Sequence, residues 1–260
     1  MTKLSIIIPI YNVKPFLRRC LESVKVPDEN LHDVQIILVD DGSTDGSEKI
    51  VDEFENRVGF EIIHKKNGGC CSARNAGVKI ARGEYITHLD ADDAYKDGAI
   101  EKMLKLIDRY DANIIQMAFD KRQGATTKTV HCLADRYTLD KLPNYWVLVW
   151  NKLYRRDFIE SHGIEFKEGL NYDDDSHYNI QCFRYLEWIQ GTSEITVDHF
   201  YDNDGSITHT LNKGKFLNAT EAMCDLLRED NPPIVERIIR ERIVKKWTSK
   251  QYIEAFGGGK

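Results

Sequence analysis

The chain has 260 residues, of which 42% are hydrophobic and 30% are charged, and its formal net charge is −6. These values fit one large globular domain, or a domain with an appendage, and they exclude a disordered chain. The negative charge argues against nucleic-acid binding through a basic surface. No apolar run reaches the roughly 20 residues that span a bilayer, and the N-terminal run is too short for a signal peptide. The six cysteines form no C-x-x-C pair, so we expect reduced thiols and a cytoplasmic protein.

The first third of the chain alternates between strand and helix patterns. Continuous apolar runs predict strands at KLSIIIPIY and VQIILVD, and shorter strands follow at FEIIHK and EYITHL. Helical patterns follow each of the first three strands, and Ser43, Thr44 and Asp45 are candidate caps of the second helix. This alternation favours a largely parallel sheet with helices on both faces, in which ligands bind beyond the carboxyl ends of the strands.

An acidic cluster, Asp90, Asp92 and Asp93, directly follows the fourth predicted strand. If the segment stays extended, Asp90 and Asp92 face the same way, whereas Asp93 points elsewhere or caps the next turn. Two carboxylates suit a hard divalent cation, Mg²⁺ or Mn²⁺, which prefers oxygen ligands and also binds substrate phosphates. The alternative interpretation is a solvated turn.

If the strands are parallel, the ends of the first and second strands, PIYN and DDGSTDGS, converge with this acidic cluster on one cleft. Asp40 and Asp41 end the second strand before Gly42, and a carboxylate here can accept hydrogen bonds from a nucleobase imide or a ribose. The glycines of KKNGGCCSARNAG precede a helix whose N-terminal amides suit an anion, and Arg74 lies in its first turns. An ordinary turn with helix caps and a surface arginine is the alternative. The absence of GxGxxG and GxxxxGK[ST] argues against a dehydrogenase and a P-loop NTPase.

The pattern loosens after about residue 120. A helix over 98–110 and a strand at ANIIQMAF precede RQGATTKTVH, which is typical of a loop or hairpin. Mixed helix and strand follow in VLVWNKLYRRDFIESHGI, and a strand and turn in SEITVDHFYDNDGSIT. The chain is mostly helical from residue 213, with NPP separating two helices. The last helix is amphipathic, so it either docks on a membrane surface or packs on the main domain or a dimer partner; its apolar residues are Ile234, Ile238, Ile239, Ile243 and Trp247.

The second half also holds residues suited to chemistry. NYDDDSHYN opens a predicted helix with three consecutive acids, more than one cap needs, so one of them could be a general base. His199 and His209 could supply a third metal ligand, although either one alone is more often a surface histidine. Trp150, Asn151 and Lys152 could line a carbohydrate site, although a tryptophan is more often part of the core.

Five motifs occur in an order that resembles the family-2 glycosyltransferases with the GT-A fold: SIIIPIYN, VDDGSTDGS, NGGCCSARNAG, LDADD and WNKLYRR. The resemblance is strong over residues 3–95, continues more weakly to about 210 and then fades. It implies an α/β sandwich around a mostly parallel central sheet, with a mainly helical C-terminal extension. The glycosyltransferase domain would cover 1–210, with a nucleotide-binding half (1–95) and an acceptor-binding half (96–210), and the helical extension and tail would cover 211–260.

The resemblance also implies an activity, namely inverting, metal-dependent sugar transfer. The donor would be a nucleoside-diphosphate sugar, most often a UDP-sugar, and the acceptor a hydroxyl of a glycan, a glycolipid or a cell-wall polymer. Mn²⁺ or Mg²⁺ would be the cofactor. The protein would be cytoplasmic and could make a peripheral contact with the inner face of the cell membrane. It could also form a homo-oligomer. The alternatives are a sugar nucleotidyltransferase and a nucleotide-sugar-binding subunit without catalysis.

The resemblance assigns roles to residues of this chain. In the donor site, Asp90 would contact the ribose and Asp92 the metal, with His209 as a candidate further ligand; the residues around the base would be Pro9, Tyr11, Asp41, Asn67 and Arg74. The residue types alone, rather than the resemblance, favour Trp150, Asn151 and Lys152 as the sugar contacts.

The choice of the candidate base depends on the alignment, because the family's usual Glu-Asp pair is absent. Alignment on Tyr178 makes Asp174 and Asp175 the pair, with Asp175 as the base, and we prefer this alignment. Alignment on Tyr172 would instead give Asp173 and Asp174. A second departure lies near YxR…GSIT, where this chain has Asp202 in place of an arginine.

Overall fold

The fold is taken from a computed structural model, which describes residues 1–143, 145–201 and 212–248, apart from the side chain of Lys246. The first half of its sheet is built from four parallel strands in the order β3-β2-β1-β4. Their bounds are Leu4–Ile10 (β1), Val34–Asp40 (β2), Phe60–His64 (β3) and Tyr85–His88 (β4). Because parallel strands end at the same edge of a sheet, the segments that follow β1, β2 and β4 converge, as the sequence predicts.

Helices follow each of the first three strands and another follows the acidic segment: Lys14–Ser23 (α1), Ser47–Asp52 (α2), Cys70–Ile80 (α3) and Ala99–Arg109 (α4). Alternate residues of β1 face opposite sides of the sheet, so Ile6 packs with α1, α2 and α4, whereas Ile7 packs with α3. The helix α3 approaches the sheet closely at Gly77, where a Cβ atom would lie 2.5 Å from Ile7 Cγ2.

The second half of the sheet is mixed. β9 is antiparallel to both of its neighbours, β4 and β6, and so joins the two halves, while β10 runs parallel to β6. β7 forms a hairpin with β6, and β5 and β8 pair with β10. The bounds are Ala94–Tyr95 (β5), Ile114–Gln123 (β6), Thr126–Val130 (β7), Arg136–Thr138 (β8), Lys152–Arg155 (β9) and Trp188–Phe200 (β10). The last strand begins earlier than predicted, because WIQGT also joins the sheet.

The remaining helices cover one face of this second half: Arg156–Ser161 (α5), Asp174–Phe183 (α6), Lys213–Leu227 (α7) and Pro233–Trp247 (α8). They share a core with residues of β6 and β9, such as Ile114 and Tyr154. None of the helices in the described ranges has the length and apolar character needed to cross a bilayer.

The apolar face of α8 packs inside the protein, as the second of the two alternatives for this helix predicts. Ile238 and Ile239 are buried in the core that includes α6 and α7, and Ile234 and Ile243 pack against that core. Trp247 contacts the ring of Phe216, with ring centroids 5.4 Å apart. A face that already covers a core is not available to lipid.

Candidate active site

Arg74 lies at the centre of the cleft at the carboxyl edge of the sheet. Its side chain is 4% exposed, and it donates hydrogen bonds to Asp90 at 2.9 Å, to Asp174 at 2.8 Å and to Asp175 at 2.9 Å. The guanidinium carbon also lies 5.1 Å from the centre of the Phe166 ring. Burial opposes the charge, but the acidic groups around it raise the pKa of Arg74, which therefore stays charged.

The acidic segment after β4 forms a turn, so the expectation of an extended segment was wrong. The amide of Asp93 donates to the carbonyl of Asp90 at 2.9 Å. Because of this turn, carboxylate oxygens of Asp90, Asp92 and Asp93 all lie within 4.8 Å of one another. The sequence predicted a metal-binding pair, Asp90 and Asp92; the structure places a third carboxylate beside them.

Asp93 is the buried member of this group. Its side chain is fully buried, and its carboxylate lies 2.9 Å from His199 Nδ1 and accepts the amide proton of Phe200 at 2.8 Å. Burial raises the pKa of Asp93 to about 6, against the effect of His199. His199 in turn stacks on Trp150, with ring centroids 4.9 Å apart. Asp93 therefore ties the acidic turn to β10, and this role was not predicted from the sequence.

The segment expected to bind a nucleobase lies beside the start of α3. Asp41 is buried and accepts hydrogen bonds from Lys65 Nζ at 2.6 Å and from the amides of Gly68 and Gly69, the latter at 2.8 Å. These bonds fix the loop that carries Asn67. Gly42 has a φ of +78°, and a Cβ atom there would lie 3.0 Å from the Asn67 amide nitrogen, so this approach of two loops requires glycine.

The other residues expected near the base differ in exposure. Pro9 is half-buried in β1, Tyr11 is 51% exposed just beyond the strand, and Asn67 is exposed. This edge thus presents an aromatic ring and an amide to solvent above a fixed loop. Lys65, which holds Asp41, was not singled out from the sequence, because a lone lysine before a glycine pair carries no distinctive pattern.

The three acids that open α6 have different surroundings. Asp173 has a φ of +65°, and its side chain, 1% exposed, accepts hydrogen bonds from Ser176 and from Arg242 of α8. Asp174 and Asp175 instead face Arg74, with side chains 21% and 20% exposed. The structure therefore separates one acid with a structural partner from two that face the cleft.

Asp175 has the environment of a proton acceptor. Its Oδ1 accepts from Arg74, and its Oδ2 accepts the amide proton of Val149 at 3.1 Å. Burial raises the pKa of Asp175 to about 7, even though Arg74 lowers it. A carboxyl group with a pKa near neutrality can exchange a proton at working pH.

The residues expected to contact the sugar lie inside the protein. Trp150, Asn151 and Lys152 are buried, with exposures of 2%, 0% and 0%, and the sugar contacts expected of them stay a prediction. His209 and Asp202 lie outside the described residues.

The sequence comparison identifies relatives. The family model for Glycosyl transferase family 2 matches residues 5–186, which is more than half of the chain. The uncharacterized glycosyltransferase EpsJ of Bacillus subtilis (strain 168) is 32% identical over 204 residues, which are 73% of this chain and 58% of EpsJ. The chain thus spans less than two thirds of the length of that relative.

Two solved structures are similar in fold. S. aureus TarS 1-349, in complex with UDP-GlcNAc, has a TM-score of 0.80 at 18% identity and covers 98% of this chain and 80% of that one. The mannosyltransferase PcManGT from Pyrobaculum calidifontis, in complex with GDP-Man and Mn²⁺, has a TM-score of 0.67 at 15% identity, covering 99% and 76%. These matches confirm the expected GT-A architecture. With its match over residues 5–186, this chain belongs to Glycosyl transferase family 2.

Proposed function

We propose that the protein transfers a sugar from a nucleoside-diphosphate sugar, a UDP-sugar in the first instance, to a hydroxyl of a glycan, glycolipid or cell-wall polymer. The observation that carries this proposal is the set of hydrogen bonds that Arg74 donates. One goes to Asp90, just beyond the last parallel strand, and the others go to Asp174 and Asp175 at the start of α6. A donor-side acid and a candidate base thereby lie at one cleft. The UDP-GlcNAc bound to TarS, which has the same fold, supports a uridine donor.

The nucleotide would lie along the edge formed by β1, β2 and the start of α3. Tyr11 offers an exposed ring for contact with a base, beside Pro9 and the exposed Asn67. Asp41 would act chiefly by holding the 65–69 loop, because its carboxylate already accepts from Lys65 and two amides. Any lone pair left on Asp41 could still accept an imide proton of the base.

The acidic turn fits a divalent cation. Three carboxylates within 4.8 Å of one another form an oxygen-only donor set of the kind that Mg²⁺ and Mn²⁺ prefer. Asp92 would be the principal ligand with Asp90 beside it, because Asp93 is buried and held by His199 and Phe200. A cation bound there would neutralise the negative charge of the donor's diphosphate. The Mn²⁺ in the PcManGT complex agrees with this choice.

Asp175 would accept the proton of the acceptor hydroxyl. Its pKa near neutrality allows it to be ionised before the reaction and to hold the proton afterwards. The hydroxyl oxygen would form a bond to the anomeric carbon while the bond from that carbon to the diphosphate oxygen breaks. Attack on the face opposite the leaving group inverts the anomeric centre in one displacement, with no covalent sugar–enzyme intermediate.

A donor screen tests the proposal. The purified chain is incubated with UDP-, GDP-, dTDP- and CMP-sugars in the presence of Mn²⁺, and nucleotide release is measured with and without candidate acceptors. We expect UDP release that is faster with an acceptor and that is lost in Asp175→Asn. Donor binding without turnover across the full screen would instead support the alternative of a noncatalytic nucleotide-sugar-binding subunit.

A further inference from the structure

A buried lysine lies directly behind the candidate base. Lys152 begins β9, and its side chain is among the largest that are fully buried. Its Nζ donates to the carbonyl oxygen of Leu148 and, at 3.1 Å, to Asn151 Oδ1. Burial lowers the pKa of Lys152 to about 7, whereas the nearby carboxylate of Asp175 raises it, so the charged form depends on that carboxylate and on these two acceptors. Because hydrophobic residues of similar volume often serve stability as well or better, a buried amine at this position needs a reason beyond the fold.

The carbonyl that Lys152 holds belongs to the peptide group that contacts Asp175. The peptide bond between Leu148 and Val149 presents its oxygen to Lys152 and its N–H to Asp175 Oδ2, at 3.1 Å. A peptide group is planar, so fixing its oxygen also fixes the direction of its N–H. An ammonium on the oxygen polarises the group and makes the N–H a stronger donor.

The elements around this peptide hold Lys152 in place. Asn151 donates to the carbonyl of Met117 in β6 at 3.2 Å, and Thr87 in β4 donates to the carbonyl of Lys152 at 2.8 Å. On the other side, Asn179 donates to the carbonyls of Val147 and Asp175 at 2.8 and 2.9 Å. Lys152 is thus anchored to the sheet, and the 147–149 segment is clamped to α6.

We propose that Lys152 is a positioning residue for Asp175, acting through the peptide group between Leu148 and Val149. This inference rests on the proposed function, in which Asp175 is the base. The relay Lys152–peptide–Asp175 orients the carboxylate and stabilises its charged form. It gives the buried polar residues of the WNKLY segment a role behind the base, in place of the sugar contact expected from the sequence.

Other groups also act on the charge of Asp175, and their effects must stay constant in a test. They come from α3, the acidic turn, β9 and α6 itself: Arg74, Cys70, Asp90, Lys152, Tyr154 and Asp174. Loss of Lys152 weakens the hydrogen bond that the Val149 N–H donates to Asp175, and it also removes a positive charge nearby. Both changes disfavour the charged carboxylate of Asp175. The pKa of Asp175 should therefore rise in Lys152→Met.

The Val149 amide reports this change directly, because its proton bonds Asp175. In the wild type its NMR shift should report the Asp175–Lys152 pair, because the pKa values of both groups lie at about 7. In Lys152→Met we expect a single step, that of Asp175, with a midpoint about one pKa unit above the wild-type midpoint. In activity assays, kcat should fall about tenfold through mispositioning, the acid limb of kcat/KM should move to higher pH, and UDP affinity should not change.

Arg184→Met is the matched control. Arg184 follows the last residue of α6, its side chain is 9% exposed, and it donates to a main-chain carbonyl, that of Leu226, at 3.1 Å. Arg184 also pairs with Glu229 and makes no hydrogen bond to the Leu148–Val149 peptide group. Its loss removes a nearly buried cation outside the relay, so the Val149 midpoint should stay at the wild-type value.

An unchanged Val149 midpoint in Lys152→Met would overturn the inference. If this variant does not fold, Lys152→Gln, which keeps a neutral donor, should show a smaller shift in the same direction. Failure of both variants to fold would assign Lys152 to the fold alone and would also overturn the inference. A wild type that transfers no sugar, with a midpoint that still shifts in the variant, would contradict the proposed function but support the relay.

Discussion

Arg74 donates to carboxylates that are 16, 100 and 101 residues away in the chain. Its replacement by methionine would leave those acids facing one another across a buried space. We expect Arg74→Met to lower the free energy of unfolding by about 3–5 kcal/mol, because breaking a buried pair leaves uncompensated charge. Urea denaturation at a pH above neutrality measures this loss.

A surface arginine provides the comparison. Arg82 pairs with Glu61, but its side chain is 61% exposed, so Arg82→Met should cost less than about 1 kcal/mol. Equal losses of unfolding free energy in the two variants would mean that the Arg74 cluster stabilises the protein no more than a surface ion pair does.

The protonation of Asp175 should make the proposed activity depend on pH. Burial raises the pKa of Asp175 to about 7, and only the ionised form can accept a proton. We therefore expect kcat/KM to fall as the pH decreases through 7, because protonated Asp175 cannot act as a base. Asp175→Asn should lower kcat by about 10²–10⁴-fold with donor binding retained. Steady-state kinetics across pH measure both effects, and an Asp175→Asn variant with wild-type kcat would rule out this base.

At the scale of elements, α8 contributes packing. Ile239 is fully buried in the second core, whereas Val244 on the same helix is 61% exposed. We expect Ile239→Ala to cost about 2–5 kcal/mol of unfolding free energy and Val244→Ala to stay within about 0.5 kcal/mol. Thermal or urea unfolding of the two variants measures this difference in unfolding free energy. A neutral Ile239→Ala would show that the helix is not part of the folded core in solution.

The elements that follow local patterns could be predicted from the sequence. β1 and β2 are continuous apolar runs, and α4 repeats its apolar residues at helical spacing, so each is specified by neighbours within a few residues. The carboxyl-edge rule then brings Asp41, which follows β2, and Asp90, which follows β4, to one region. This part of the candidate site follows from strand order alone.

Other features depend on contacts that no local pattern encodes. Lys152 is buried because β9 lies between β4 and β6 in the sheet, and a mixed run such as WNKLY does not indicate which strands flank it. The turn at Asp93 depends on a hydrogen bond to Asp90 and on contacts from His199, 106 residues away. Asp173 turns away from the cleft because Arg242 of α8 holds it.

At the scale of the whole molecule, the expected division at residue 95 separates proposed roles rather than folding units. β9 comes from the second half of the chain but pairs with β4 of the first half, and one hydrophobic core includes residues from Leu4 to Val197. We propose that 1–95 supplies the donor site and 96–210 the acceptor side of one cleft. Because the chain covers 58% of EpsJ, the acceptor of the complete protein remains part of the proposal.

We propose that the acidic turn and the parallel half of the sheet together bind a nucleoside diphosphate with a divalent cation. The most direct test is isothermal titration calorimetry of UDP with the wild type and with Asp92→Ala, first with Mn²⁺ and then with EDTA. We predict binding to the wild type that requires Mn²⁺ and is lost in Asp92→Ala. Binding that is equal in both proteins, or unaffected by EDTA, would contradict a metal-dependent site at Asp92, and no UDP binding under any condition would contradict the uridine donor.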